Sequence, residues 1–472
     1  MRLNISFKLT SFIIVFAMTS TLVSAQQEIS VQDAWNQLRI QDDKIAAGQA
    51  AQQRAAALLS SSDSLLMPQI DLVASYTRLD SPVELDALAL NPLSSIADSR
   101  IGSGLINLAG GPDIFRTPAT QRNVSRSSLV MFWPLYTGGK ITTARELLSL
   151  GNEEANLLLE EIYRTRFSNL VATYFGLVMA EHALATQEQA ESMLSQHFRS
   201  AQALEAQSQI ARVELLASQA SYDRSKITTR SVREQRDTAQ QTLASLIHSP
   251  LENMLDGPIP SSPLFTLNEL PPLEHFKAGL ESHPALRLLA TKRSQAESIE
   301  KASRGLYQPN VFMFGSYNLY EDNSIASDLT PDWFVGLGVS VPLVDRSGRS
   351  GKIEAARSTV IEIQHHQRAA QRQLTLLLDH QYREARHALE EYRDLESTVS
   401  LAKESLRLQE LAFSEGLGRS LDVIDAQTFL SSTQTRRDAA AFRFVLSFAD
   451  LLSLSGQQES FFTYLNNGVP VQ

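Results

Sequence analysis

"LYQPNVFMFGSYNLY", residues 306–320, is the stretch from which the fold can be read. Val311, Met313, Gly315 and Tyr317 fall on one side of an extended chain and Asn310, Ser316 and Asn318 on the other, although Phe312 and Phe314 blur that second face. Such alternation is the mark of a strand with two unlike faces. The stretch has an echo in "LLMPQIDLVASYTRL" (65–79), where Pro68, Ser75 and Tyr76 fall on Pro309, Ser316 and Tyr317. There Ile70, Leu72, Ala74 and Tyr76 share one face, opposite Gln69, Asp71, Ser75 and Thr77.

The echo extends along the chain. "SSLVMFWPLY" (127–136) lies over "VGLGVSVPLV" (335–344), and "RVELLASQ" (212–219) lies over "SLDVIDAQ" (420–427) at the same offset. Leu129, Met131 and Trp133 share a face, as do Trp333, Val335, Leu337, Val339 and Val341. The chain therefore reads as two copies of one plan. Copy one covers 26–247, with strands about 68–79 and 126–136, a long helix 141–207 and a helix 212–247. A proline-rich connection follows at 248–273. Copy two covers 274–456, with strands about 309–320 and 332–344, a long helix 352–414 and a helix 421–455, before a tail at 457–472.

The long helices set the scale. Residues 141–207 hold no proline and only Gly151 and Gly176, and 352–414 hold neither proline nor glycine. Each would run for ~100 Å or slightly less at 1.5 Å per residue. Leu157, Ile162, Phe167, Leu170, Tyr174, Leu177 and Val178 recur at three- and four-residue spacing with polar residues between them. That is the pattern of coiled-coil packing, not of a lipid-facing helix. Strands of roughly ten residues, apolar on one side with Trp and Tyr near their ends, suit an outer-membrane barrel, and Trp133, Trp333, Tyr76 and Tyr317 would mark its interfaces with water. A half-buried sheet of a soluble protein alternates in the same way. Four strands cannot close a barrel, because the smallest have about eight, and lipid tolerates no open edge. If these strands span a membrane, several chains must share one barrel.

The bulk numbers agree with export. "MRLNISFKLTSFIIVFAMTSTLVSAQQ" opens with Arg2 and Lys8, continues with an apolar run and ends in small residues before Ala25. Residues 1–25 read as a cleaved signal peptide, too short in its apolar core to span a bilayer. Its removal deletes two positive charges and no negative ones from a chain whose formal charge is −10. That balance argues against nucleic acid as a partner, since phosphate binding needs clustered Lys and Arg. With 0 cysteines there is no disulfide frame, no thiolate metal site and no cysteine nucleophile.

Catalytic motifs fail one by one. "PLYTGGKITT" and "RSGRSGKIEA" bring Gly-Lys into a helix, but Pro134 and Arg346 stand where a phosphate loop needs its first glycine. His365 and His366 are adjacent on a helix and so face apart. No enzyme activity, cofactor or metal is expected.

One acidic pair remains. In "FSEGLGRSLDVIDAQ" (413–427), Gly416 and Gly418 break two helical patterns, and Asp422 and Asp425 follow one turn apart. Asp422 suits a helix start, where an acid gains roughly 0.3–1 kcal/mol from the macrodipole. Asp425 lies deeper on the same face. Helix support and pore lining both fit.

The order Gly416, Ser420, Asp422-Val423-Ile424-Asp425-Ala426, the proline-bounded strands, "HPAL" at 283–286 and the duplicated plan resemble the TolC-like outer-membrane efflux proteins over essentially the whole exported chain. The resemblance implies a mixed α/β membrane protein: a homotrimer with one twelve-stranded outer-membrane β-barrel, four strands per chain, continuous with a long α-helical coiled-coil periplasmic tunnel. It implies a passive exit duct for drug or small-molecule efflux, joined by a periplasmic adaptor to an inner-membrane transporter of RND or ABC type. Type I protein secretion would leave the same traces. A soluble periplasmic adaptor would instead show a single hairpin, a lipoyl-like β domain and an anchor. Asp422 and Asp425 would ring the constriction. Gly416, Leu417, Gly418 and Ser420, with Ser208 and Arg212 of copy one, would form the hairpins that dock the adaptor, where small residues allow close backbone approach.

Copy one departs from this pattern. It has Ser208 for Gly416, and Glu214 and Ala217 for Asp422 and Asp425. The connection at roughly 81–125, with "LINLAGGPDIF", is longer than its counterpart and reads as an extracellular loop. The resemblance would place a gate-bridging base close to Arg419, but Arg419 lies one residue out of that register and is given no role.

Overall fold

The computed structural model describes residues 28–81, 83–86, 116–118, 121–248, 258–321, 331–344 and 346–471. The expected signal segment and most of the 81–125 connection lie outside them. The main elements are α1 (Val31–Gln41), α2 (Asp43–Ser61), β1 (Gln69–Arg78), β2 (Asn123–Tyr136), α3 (Lys140–Ala206) and α4 (Arg212–Leu246). After these come α5 (Leu273–Leu280), α6 (Pro284–Arg304), β3 (Asn310–Glu321), β4 (Trp333–Ser340), α7 (Arg349–Ser414), α8 (Ser420–Leu454) and α9 (Ser460–Asn467). A helix of 67 residues followed by one of 35 thus answers a helix of 66 followed by one of 35. Among the described residues no helix is long and apolar enough to cross a membrane.

The chain divides into two compact units. The strand-bearing unit, Lys44–Tyr163 with Lys277–Leu378, holds one antiparallel sheet in the order β1-β2-β3-β4. Its register aligns the four alternating patterns. Ile70 faces Met131 and Leu72 faces Leu129; Met131 and Leu129 face Gly315 and Tyr317, which face Val335 and Trp333. Directly opposed residues share a face, so one side of the sheet is apolar across all four strands. Leu72, Leu337 and Val339 there are each at least 65% exposed in the single chain.

The other side explains Phe312 and Phe314. Gly338 is opposite Phe312 and Gly336 opposite Phe314, and a Cβ on either glycine would come within 2.5 and 2.8 Å of the facing ring. The rings lie over glycines and pack in a row, with Phe312 5.3 Å from Phe132 and Phe314 6.1 Å from Phe334. In the same unit α3 and α6 are zipped antiparallel by Glu146–Lys301, Glu154–Lys292 and Glu160–Arg287 ion pairs at 3.6, 2.5 and 3.3 Å.

The helical unit, Met1–Asp43 with Arg164–Phe276 and Asp379–Gln472, has an aromatic core. Phe167, Tyr174, Phe175, Phe444, Phe448 and Phe461 are all fully buried. The apolar spacing expected to make a coiled coil therefore builds, over 167–178, a thicker core in which α9 also takes part. Tyr174 hydroxyl donates to the Ile29 carbonyl and accepts from the Ser262 N–H, both at 2.8 Å. Glu28–Ile29 pairs with Ile259–Pro260, and Val469–Pro470 with Phe265–Thr266. The described part of the proline-rich connection is thus bonded to both ends of the described chain.

Candidate functional site

Two helix hairpins lie in the helical unit, and their backbones match. α3 passes to α4 through residues 207–211, and α7 to α8 through 415–419. Each long helix ends with an N–H bonded to the carbonyl five residues back, Gln209 to Leu204 at 2.9 Å and Leu417 to Ala412 at 2.8 Å. Between them sits a residue in the left-handed region, Ser208 at φ 58° and Gly416 at φ 72°. This is the glycine-type helix stop, and serine adopts it in copy one at a cost of roughly 1–2 kcal/mol. Gly418 is closely packed: a Cβ there would lie 3.1 Å from the Phe413 nitrogen, tighter than an ordinary contact.

The side chains are wired differently. In copy two, Asp422 closes a capping box on its own helix. Its carboxylate accepts from the Arg419 N–H at 3.3 Å and from the guanidinium at 2.7 and 3.2 Å. The guanidinium bond holds the Asp422 carboxyl below the usual carboxylate range. Asp425 stands exposed one turn along, close enough to Arg419 to feel its charge. In copy one, Glu214 holds the place of Asp422 but reaches across the unit, where its Oε2 accepts from the Ser420 N–H at 2.8 Å. That N–H is one of the orphan donors at the start of α8.

Ser420 is fully buried, which corrects the expectation that it forms part of an exposed docking surface. Its hydroxyl lies 2.7 Å from His197 Nε2 of α3, and the imidazole packs on the Phe413 ring with centroids 4.5 Å apart. Around this joint Ala201, Val399, Ala402, Leu406, Val423 and Leu430 form an apolar core. The other docking candidates remain at the surface: Ser208, Gly416 and Arg212 are exposed, and Leu417 is 86% exposed. Val213 and Leu216 beside them are also exposed. Ala217 is half-buried.

The residues that sequence reading missed are His197, the crossing role of Glu214, and Arg419 as the partner of Asp422. Signals for them exist. His197 occupies a place in the buried series Ala190, Leu194, Ala201, at the spacing of an apolar stripe. Arg419 and Asp422 stand three apart across a helix start, the spacing of a capping box.

In the strand-bearing unit the four aromatic candidates fall at both ends of the sheet. Tyr317 lies opposite Trp333, and Tyr76 donates to Asn123 at 3.2 Å, toward the ends that lead into the strand connections. Trp133 lies at the end leading into α3 and donates to the Leu66 carbonyl at 2.7 Å.

Residues 277–457 match the family model described as outer membrane efflux protein. The chain resembles the outer-membrane efflux proteins. These are channels of the outer membrane and not enzymes. A likeness of fold to solved outer-membrane proteins extends over the rest of the chain. The outer membrane protein VceC from Vibrio cholerae superposes with a TM-score of 0.73 at 13% identity, over 90% of this chain and 96% of that one. The CmeC outer membrane channel of Campylobacter jejuni gives 0.71 at 15%, over 98% and 97%. The open state of the MtrE outer membrane channel of Neisseria gonorrhoeae gives 0.71 at 16%, over 91% and 89%. No curated protein matches the chain in sequence.

Proposed function

We propose that the chain is one subunit of a homotrimeric outer-membrane exit duct in a tripartite efflux system. The reading is carried by the four-stranded sheet, apolar across one whole face, with β1 and β4 each paired on one side only among the described residues. Lipid does not tolerate such edges, and three copies would close them into a twelve-stranded barrel. The long helices would then enclose a periplasmic tunnel, with the hairpins at its tip. The duct is passive, and an inner-membrane transporter of RND or ABC type, reached through a periplasmic adaptor, supplies energy and selects the cargo. Drug-sized molecules are the favoured cargo; type I protein secretion is the second reading. The duplicated plan supports an internal repeat, and export would remove residues 1–25.

Asp422 and Asp425 would ring the constriction, and Ser208, Arg212, Gly416, Leu417 and Gly418 would meet the adaptor. Native mass spectrometry of the detergent-extracted protein should give a trimer. A monodisperse monomer with intact strand signal in circular dichroism sinks the shared barrel.

A further inference from the structure

We propose that the joint between the two hairpins is an acid-sensitive latch, in which protonation of His197 frees α8 from α3 and lets the 415–419 hairpin part from the 207–211 hairpin. This deepens the reading of the hairpins as the mobile tip of a duct and rests on it for its physiological meaning, though not for its geometry.

Three elements converge on His197. From α8 comes the Ser420 hydroxyl, 2.7 Å from Nε2; from α7 the Phe413 ring; from α4 the Glu214 carboxylate, which is already engaged by the Ser420 N–H. Charged residues also flank these elements in the chain: Arg199 on α3, Arg212 on α4, Glu410 on α7, Glu415 in the hairpin, Asp425 on α8, and the Arg419–Asp422 pair, whose members are hydrogen-bonded to each other at the surface. Ser420 is the shared node, bonded by its hydroxyl to copy one's long helix and by its N–H to copy one's short helix. The imidazole is buried, with 7% of the residue exposed.

A neutral ring fits that site, because it can exchange one hydrogen bond with the hydroxyl and pack tilted against a phenyl. A proton taken from solvent onto the ring puts a cation into a pocket with little water. Burial holds the His197 pKa below its ordinary value, while the Glu214 carboxylate pulls it the other way with the smaller effect. The sign follows from linkage. A released, hydrated imidazole keeps its ordinary pKa near about 6.5 and binds the proton more readily than the buried one. The joint is therefore intact above that pH and weakens as pH falls below it. The Arg419 hydrogen bond holds the Asp422 carboxyl below its ordinary value and so outside this window. Burial raises the Glu410 carboxyl, whose titration would persist when His197 is replaced and is thereby told apart from that of the imidazole.

The chain has 0 cysteines, so nitroxide labels can be placed at Gln209→Cys and Leu417→Cys, one on each hairpin and both exposed. The distance between them is measured by pulsed electron resonance in the full-length protein, with labelled chains diluted by unlabelled ones, at pH 7.5 and 5.5. Acid should lengthen and broaden the distribution in the parent protein. His197→Gln, which keeps a polar partner without titrating, and His197→Phe, which keeps the ring on Phe413, should each give the same distribution at both pH values. An unchanged distance in the parent overturns the latch, and so does an acid-induced change that survives in both variants. Because the distance is read without flux, a flat distance defeats the latch even in a protein that conducts. A pH-dependent distance abolished by the variants, in a protein silent in bilayers, upholds the latch and defeats the duct.

Discussion

The hairpins at 207–211 and 415–419 share a backbone and differ in almost everything attached to it. Both stop a long helix with a left-handed residue and restart after five residues, yet one uses Ser208 and the other Gly416. At the next turn both place an acid, but Asp422 closes its own helix with Arg419 while Glu214 closes its neighbour's. Backbone geometry at such a turn is set by chain connectivity and a few hydrogen bonds, so it survives exchange of side chains. The extra methylene of Glu214 gives it a reach that Asp422 lacks. Copy one thus serves as a support for copy two, and copy two carries the exposed carboxylate, Asp425, where copy one has Ala217.

The most damaging test of the shared backbone is a β-branched residue at the left-handed position. Gly416→Val and Ser208→Val should each cost on the order of 1–3 kcal/mol of local stability, since neither site can accept that φ from valine without strain. Hydrogen exchange of the hairpin amides should rise at both sites, and export should be lost while the oligomer survives on native gels. If Ser208→Val keeps normal protection and export, the hairpins do not share the constraint.

A smaller effect separates the wiring. Glu214→Ala leaves the Ser420 N–H without its acceptor, which should cost about 1–2 kcal/mol at the start of α8. The fingerprint is displacement: a change in copy one's sequence should speed amide exchange at 420–423 in copy two. Asp422→Ala should loosen the same turn without altering exchange around Glu214. Equal, purely local effects would contradict the crossed cap.

Much of this comparison could be read from residues alone, and what could not has a physical cause. The strand faces follow from a period of two, which one chain segment carries by itself. Ile70 and Leu72, Leu129 and Met131, and Tyr317 each fall on the apolar face of their own strand from sequence alone, whereas the union of those faces into one needs the pairing register. Phe312 and Phe314 broke the pattern because their reason lies on another strand, in Gly338 and Gly336. Gly416 announced a turn, whereas Ser208 did so only through its offset from Gly416. The bond between His197 and Ser420 joins residues 223 apart and leaves no local trace beyond one histidine in an apolar stripe.

The finest test concerns the two aspartates, which are not equivalent. Asp422 is paired with Arg419 at 2.7 Å, so its charge is largely cancelled where a passing ion would meet it. Asp425 is exposed, and in a three-fold ring it would present three carboxylates to the pore. Two unit charges 8 Å apart interact by roughly 2 kcal/mol at an effective dielectric of 20. Salt near 0.15 M, with a screening length of about 8 Å, reduces this to about 0.5–1 kcal/mol. Asp425→Ala should therefore lower cation-over-anion permeability in planar bilayers by about two- to fivefold at that salt, and by more when salt is diluted. Asp422→Ala removes a carboxylate but uncovers Arg419, so each subunit again loses one negative charge. The guanidinium is then free to swing toward Asp425 and neutralise it, so the single change should weaken selectivity at least as much as Asp425→Ala. The double change Arg419→Ala with Asp422→Ala deletes the neutral pair and should leave selectivity near the parent value. If that double variant loses selectivity while Asp425→Ala keeps it, Asp422 and not Asp425 sets the field in the pore.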